Sequence, residues 1–208
     1  VVAKTIKIIP DKFTAYVSEA FDYNFDGTSE FVLPDFVKPQ NEFSIGLIVG
    51  SSGSGKTSIL REFFNYKEPQ VNWNGHRAII SHFGTPSDAA ERLFAVGLGS
   101  IPALCKPFHV LSNGEQYRAI LARVLESGLV MDEFTSVVNR ETAKSLCVAL
   151  RKFITKKNLK NIVFASCHSD IIEFLHPDWT FDCDNGLFLS NIECPTEAQK
   201  IAEITWYV

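Results

Sequence analysis

A chain of 208 residues with 46% hydrophobic content, including 17 Phe, is long enough for one α/β domain with a filled core, which excludes a disordered chain. A net charge of −4 and a pI near 5.7 give no general basic field, so any nucleic-acid contact is left to a local patch or a partner. The five scattered cysteines form no C-x-x-C pair, which argues against a disulfide framework or zinc site and for reduced cytosolic thiols, and no apolar run reaches the ~20 residues of a membrane span.

The start, Val1-Val2-Ala3-Lys4, lacks a secretory signal and, without an initiator Met, reads as trimmed or excised from a longer chain. Residues 1–42 alternate apolar and polar in short runs broken at Pro10, Asp26-Gly27, Pro34 and Pro39, which predicts antiparallel strands and turns. Ile45-Gly46-Leu47-Ile48-Val49 then reads as a buried parallel strand running into Gly50-Ser51-Ser52-Gly53-Ser54-Gly55-Lys56-Thr57-Ser58 and a helix to about Asn65. Residues 78–81 read as a second short strand. Thr85-Pro86-Ser87-Asp88 offers a cap, a first-position Pro and a first-turn acid for a helix ending near Gly97.

Ser112-Asn113-Gly114-Glu115 has the form of a capping box, placing Ser112 at the start of a helix that stops at Gly128. The pattern continues with a strand over 129–131, a helix from about Arg140 to Lys157, a strand over 162–165, a helix after His168 ending before Pro177, and a hairpin around Asp184-Asn185-Gly186. This alternation predicts an α/β fold with a mostly parallel sheet flanked by helices, an antiparallel N-terminal part and a short helical segment over 82–128, all within a single domain over 1–208.

Binding a triphosphate takes many donors close together. Glycines allow the N–H groups of 50–55 to curve around an anion at the positive end of the next helix; Lys56 reaches the β- and γ-phosphates and the Thr57 hydroxyl serves Mg²⁺. Asp132-Glu133 emerges at the carboxyl end of the 129–131 strand, where open α/β sheets place ligands. Neighbouring strand residues point opposite ways, so Asp132 can hold Mg²⁺ while Glu133 orients the attacking water.

Leu111-Ser112-Asn113-Gly114-Glu115-Gln116 resembles the signature motif of ABC ATPases, and the order phosphate loop, signature, acidic pair matches that family. The resemblance spans residues 13–185 and implies a head-to-tail homodimer that buries two Mg-ATP, with Ser112, Gly114 and Glu115 reaching the nucleotide of the opposite subunit. It also implies that His168 is the switch histidine on the γ-phosphate and that Tyr23, with Phe21 and Phe25 as rivals, stacks on adenine. Three features depart from the family. His82 stands where a Gln usually contacts Mg²⁺ or water, Asn139 stands where an Asp usually lies, and the span from Lys56 to Ser112 is short for a transporter subunit, which argues against a membrane partner.

Asp132 to Val138, with Glu173 to Trp179, is similar to a non-transporter ABC-type group of bacteria and phages, some members of which are fused to a predicted acetyltransferase domain. The leading expectation is an ATP hydrolase, slow or partner-dependent, that switches a fused or separate effector, with DNA metabolism or modification as one setting. Its alternatives are the nucleotide-binding subunit of a membrane transporter and a module that binds ATP without turning it over. Arg151, Lys152, Lys156, Lys157 and Lys160 read as a solvated helix end, Trp73 and Trp179 as core anchors, and His76, His109 and His176 as loop residues.

Overall fold

The structure, a computed structural model, describes residues 3–190; Cys194 and the apolar segment 204–208 lie outside them. The chain divides into two compact units, Val1–Val37 and Lys38–Val208.

In the first unit β1 (Ala3–Lys7) pairs antiparallel with β2 (Thr28–Val32), as the alternation predicts. Between them stands α1 (Lys12–Ala20), which corrects the reading of this region as strands and turns alone. Asp11 caps it, accepting from Phe13 and Thr14 N–H at 3.0 and 2.9 Å, while its own N–H donates to Thr14 Oγ1 at 2.8 Å.

In the second unit a five-stranded sheet runs in the order β4 (Val130–Met131), β5 (Ile162–Ser166), β3 (Ile45–Val49), β6 (Trp179–Asp182), β7 (Leu187–Ser190). The first four are parallel and β7 returns antiparallel through the expected hairpin. Every residue of β3 and β5 is buried, as two covered sheet faces require.

Ile45, Leu47 and Val49 share one core with Ile162 and Phe164, with Leu93 of α3 (Pro86–Ala95), with Ala119 and Leu121 of α5 (Asn113–Val124), and with Leu146, Leu150 and Phe153 of α6 (Arg140–Lys156). The period of two along β3 and β5 thus puts this face of the sheet against α3, α5 and α6. The sheet flanked by helices is the predicted α/β fold. Gly46 serves Trp179, since a Cβ there would sit 2.0 Å from the indole. That ring also meets Phe43 edge-on at 5.3 Å and stacks at 6.1 Å on Phe64, the last residue of α2 (Lys56–Phe64).

Residues 78–81 are not a strand. They lie in a 3₁₀ turn, Ile79–His82, with Ile79 buried and its N–H donating to Lys106 C=O at 2.9 Å. Both sides of β3 are taken by β5 and β6, so the central strand offers no slot beside it. The short helix α4 (Ile101–Leu104) and a 3₁₀ turn, Phe108–Val110, lead to α5, and α7 (Ile172–Leu175) follows His168. No helix among the described residues is long and apolar enough to cross a membrane.

Candidate nucleotide site

The site gathers at the carboxyl ends of the parallel strands. From the central strand β3 the chain turns through Gly50, Gly53 and Gly55 at φ +152°, +82° and +99°, conformations open to glycine. At Gly50 space is the tighter limit, because a Cβ there would lie 2.6 Å from Ser54 Oγ and 2.9 Å from Cys183 Cβ. Helix α2 begins at Lys56 with Gly55 at its N-cap and no side chain capping it, so its positive end is claimed by no residue of its own loop. Ser51, Ser52 and Gly53 are exposed, whereas Ser58 is half-buried in the first turn of the helix. Lys56 is 6% exposed and its ammonium donates to Gly50 C=O at 2.8 Å and Ser51 C=O at 2.6 Å.

Thr57 Oγ1 donates to Asp132 Oδ2 at 2.6 Å, joining the phosphate loop to the acid that follows β4, a strand two places away in the sheet. Phe134 anchors the turn after β4: it is fully buried, stacks on Phe164 at 4.2 Å and donates its N–H to Ala165 C=O at 2.7 Å. Asp132 is accordingly half-buried toward the loop and Glu133 is exposed. Glu133 and Thr135 hold φ of +53° and +71°, sparsely populated for residues with a Cβ.

From β5, His168 donates its N–H to Ser166 Oγ at 3.1 Å. Burial and the neighbouring Arg140 guanidinium hold its pKa below the ordinary imidazole value, while the nearby Glu133 charge pulls the other way. Three contributors were missed in the sequence. Arg140 pairs with Asp170 through Nε and Nη2; Tyr66 has its pKa raised first by burial and then by the Asp132 charge; and Asp184 reaches Ser51 from beyond β6.

The signature segment caps α5 as predicted. Ser112 N–H and Oγ donate to Glu115 Oε2 at 2.9 and 2.8 Å, and Glu115 N–H returns a weaker contact to Ser112 Oγ at 3.4 Å. These bonds to Ser112 lower the Glu115 pKa. A Cβ on Gly114 would stand 3.0 Å from Val137 C=O, so the absence of a side chain lets the signature helix touch the loop between Glu133 and α6. The helix ends at Val124, earlier than Gly128.

His82 is held by backbone groups. Its Nε2 accepts from Asn74 N–H at 2.9 Å, which leaves the proton on Nδ1, 3.0 Å from Ala78 C=O, and its ring meets Trp73 edge-on at 4.9 Å. Asn139 caps α6, accepting from Thr142 N–H at 2.9 Å. Tyr23, in the first unit, is 59% exposed. Trp73 and Trp179 are packing residues, as expected; Arg151, Lys156, Lys157 and Lys160 pair with Asp178, Glu91 and Glu42.

Mg²⁺ fits this donor set. Among the described residues no three His, Cys, Asp or Glu converge into a metal cage. A hard cation that takes one or two protein oxygens plus phosphate oxygens suits Thr57 Oγ1 beside Asp132 Oδ2.

A loop of this shape at the end of a central parallel strand, tied through a helix hydroxyl to a carboxylate on another strand, is the arrangement of a P-loop fold, and solved ABC cassettes share the architecture. The dimeric structure of MJ0796, a bacterial ABC transporter cassette, superposes with a TM-score of 0.52 at 16% identity, covering 70% of this chain and 83% of that one. A post-hydrolysis dimer of the same cassette, bound to ADP and Pi, gives 0.50 at 16% identity over 66% and 80%. No curated protein matches the sequence. The family model described as bacterial TniB protein matches residues 36–178, and the chain belongs to that family.

Proposed function

We propose that the protein is an ATP hydrolase that closes into a head-to-tail homodimer around two Mg-ATP and so switches a fused or separate effector, DNA metabolism or modification being one setting. The observation that carries the reading is the 2.6 Å contact between Thr57 Oγ1 and Asp132 Oδ2, which supports taking the phosphate loop and Asp132 as parts of one site. The uncapped end of α2 and Lys56 bind the phosphates; Thr57 and Asp132 hold the cation, which when bound offsets phosphate charge. Glu133 orients the attacking water with His168 beside it. The dimeric form of the MJ0796 cassette supports placing Ser112 and Gly114 of one subunit on the nucleotide of the other.

Phosphate release with Mg-ATP, followed in the native protein and in Glu133→Gln at several protein concentrations, tests the reading. Turnover should rise more than linearly with protein and vanish in the variant, which should instead accumulate as an ATP-bound dimer by light scattering. Robust turnover in Glu133→Gln would remove Glu133 from its role.

One observation favours a second reading, a module gated by ATP without turnover. His82 is held by backbone groups and Asn139 by the helix it caps, so two positions that usually serve family chemistry are occupied structurally. Nucleotide would then change the oligomeric state with no phosphate released.

A further inference from the structure

The carboxyl ends of β3, β4 and β5 supply the groups used above, yet the fourth parallel strand also ends at the phosphate loop. Asp182 lies opposite Val49, and pairing continues one residue on as Cys183 N–H donates to Val49 C=O at 2.8 Å. Asp184 follows. Its carboxylate accepts twice from Ser51, Oδ2 from the N–H at 2.7 Å and Oδ1 from the hydroxyl at 2.8 Å.

The carboxylate stands on a braced turn. Asp184 N–H donates to Asp182 Oδ1 at 2.9 Å and Asn185 Nδ2 to Asp182 Oδ2 at 2.7 Å, while Gly186 at φ +65° closes the hairpin. The turn also packs under the loop, where Cys183 and Ser54 leave no room for a Cβ on Gly50.

Two opposite charges hold a single peptide. The bond between Gly50 and Ser51 gives its carbonyl to Lys56 and its N–H to Asp184. When Lys56 moves to a phosphate the carbonyl loses its donor, and the N–H contact is what keeps that peptide in place. A carboxylate beside a polyanion site repels the ligand across a short distance, a cost that a fixed loop offsets.

Building on the proposed ATP site, we infer that Asp184 is a positioning residue of the phosphate loop. It withdraws the Ser51 N–H and hydroxyl from the phosphate-binding donors and fixes the loop entry, so the donors from Gly53 to Thr57 are curved before the nucleotide arrives.

The test measures Mg-ATP affinity and steady-state kinetics of the full chain with Asp184→Ala and Asp184→Asn, beside amide exchange of 50–54 without nucleotide. Asp184→Ala should weaken binding about tenfold, chiefly in KM rather than kcat, and speed exchange of the Ser51 amide. Asp184→Asn should stay near native, because its oxygen accepts from the N–H and its amide donates to the hydroxyl. Equal or tighter ATP binding by Asp184→Ala, or an equal loss in both variants, would overturn the inference. Should the native protein bind no ATP, the proposed function fails, and exchange at Ser51 still decides whether Asp184 sets the loop. Ser51→Ala, which deletes the hydroxyl contact alone, should fall between native and Asp184→Ala and guards against a poorly folded Asp184 variant.

Discussion

At Gly46 a hydrogen stands where any side chain would collide with the Trp179 indole, the ring on which Phe43 and Phe64 also pack. Gly46→Ala should cost roughly 1–3 kcal/mol by overpacking, read as a lower thermal midpoint. Chemistry rather than packing sets the value of Thr57. Thr57→Val keeps shape but loses the hydroxyl that faces Asp132, so Mg-ATP turnover should fall on the order of 100-fold with little change in the unfolding midpoint. His168 gives a pH dependence whose sign follows from its environment. Burial and Arg140 favour the neutral ring, so its protonation lies below the ordinary 6.5: activity that needs the neutral form persists below that pH, while the stability contribution is full above 6.5 and is lost as pH falls through the lowered folded value. In Arg140→Gln the cation is gone and Glu133 remains, so the acid limb of kcat/KM against pH should move upward; an unmoved limb would sever Arg140 from His168. Lys56, Thr57, Asp132 and Glu133 stand out in the sequence because each belongs to a short motif, and His168 because it follows a buried strand. Asp184 was not readable as a site residue, because its partner Ser51 is far off in sequence and only the neighbouring of β3 and β6 brings them together.

Among the elements, those that carry a cap or a two-sided core were legible, as α3, α5, β3 and β5 illustrate. The 78–81 segment misled because Ile79-Ile80 has strand composition, whereas a strand also needs an open neighbour and β3 has none. For α1 the signal was present, with Asp11 as a cap and Phe13, Tyr16, Val17 and Ala20 at helical spacing; the prolines and β-branched residues around it weighed toward strands. The Asn139 cap allows a clean exchange. Asn139→Asp preserves the acceptor and adds favourable charge at the start of α6, so the unfolding midpoint should hold or rise slightly. The same variant restores the acid usual in ABC ATPases, and a rise in turnover would tie that acid to hydrolysis. Between elements, Glu91 of α3 meets Lys156 and Lys157 of the α6 end at 2.7 Å each. Hydrogen bonds to the two lysines pull its pKa from the ordinary 4.5 to about 2. A depressed carboxylate stabilises above its unfolded value and stops doing so as pH falls through the folded one. Glu91→Gln should therefore lower the midpoint at neutral pH, and the gap from native should close between about pH 4.5 and 2.

On the proposed reading, the molecule as a whole carries two halves of a nucleotide site on one chain. The phosphate loop, Asp132, Glu133 and His168 would form one half, and the exposed start of α5 at Ser112, its hydroxyl tied to Glu115 within the cap, the other. If each nucleotide is shared between the phosphate loop of one subunit and the signature of the other, a lesion in either half is local to one kind of contribution. Ser112→Arg spoils the signature it carries but leaves its own loop intact, and Lys56→Ala does the reverse. Each protein alone should be inactive. Mixed in equal amounts, half of the dimers are hybrids, and every hybrid holds one intact site, formed by the loop of the first and the signature of the second, so turnover should recover to roughly a quarter of native. Recovery requires the head-to-tail arrangement, because a self-contained site within one subunit cannot be rebuilt by mixing. A mixture as inactive as its components would leave the monomer as the unit of chemistry and return Ser112 and Glu115 to their role as the cap of α5.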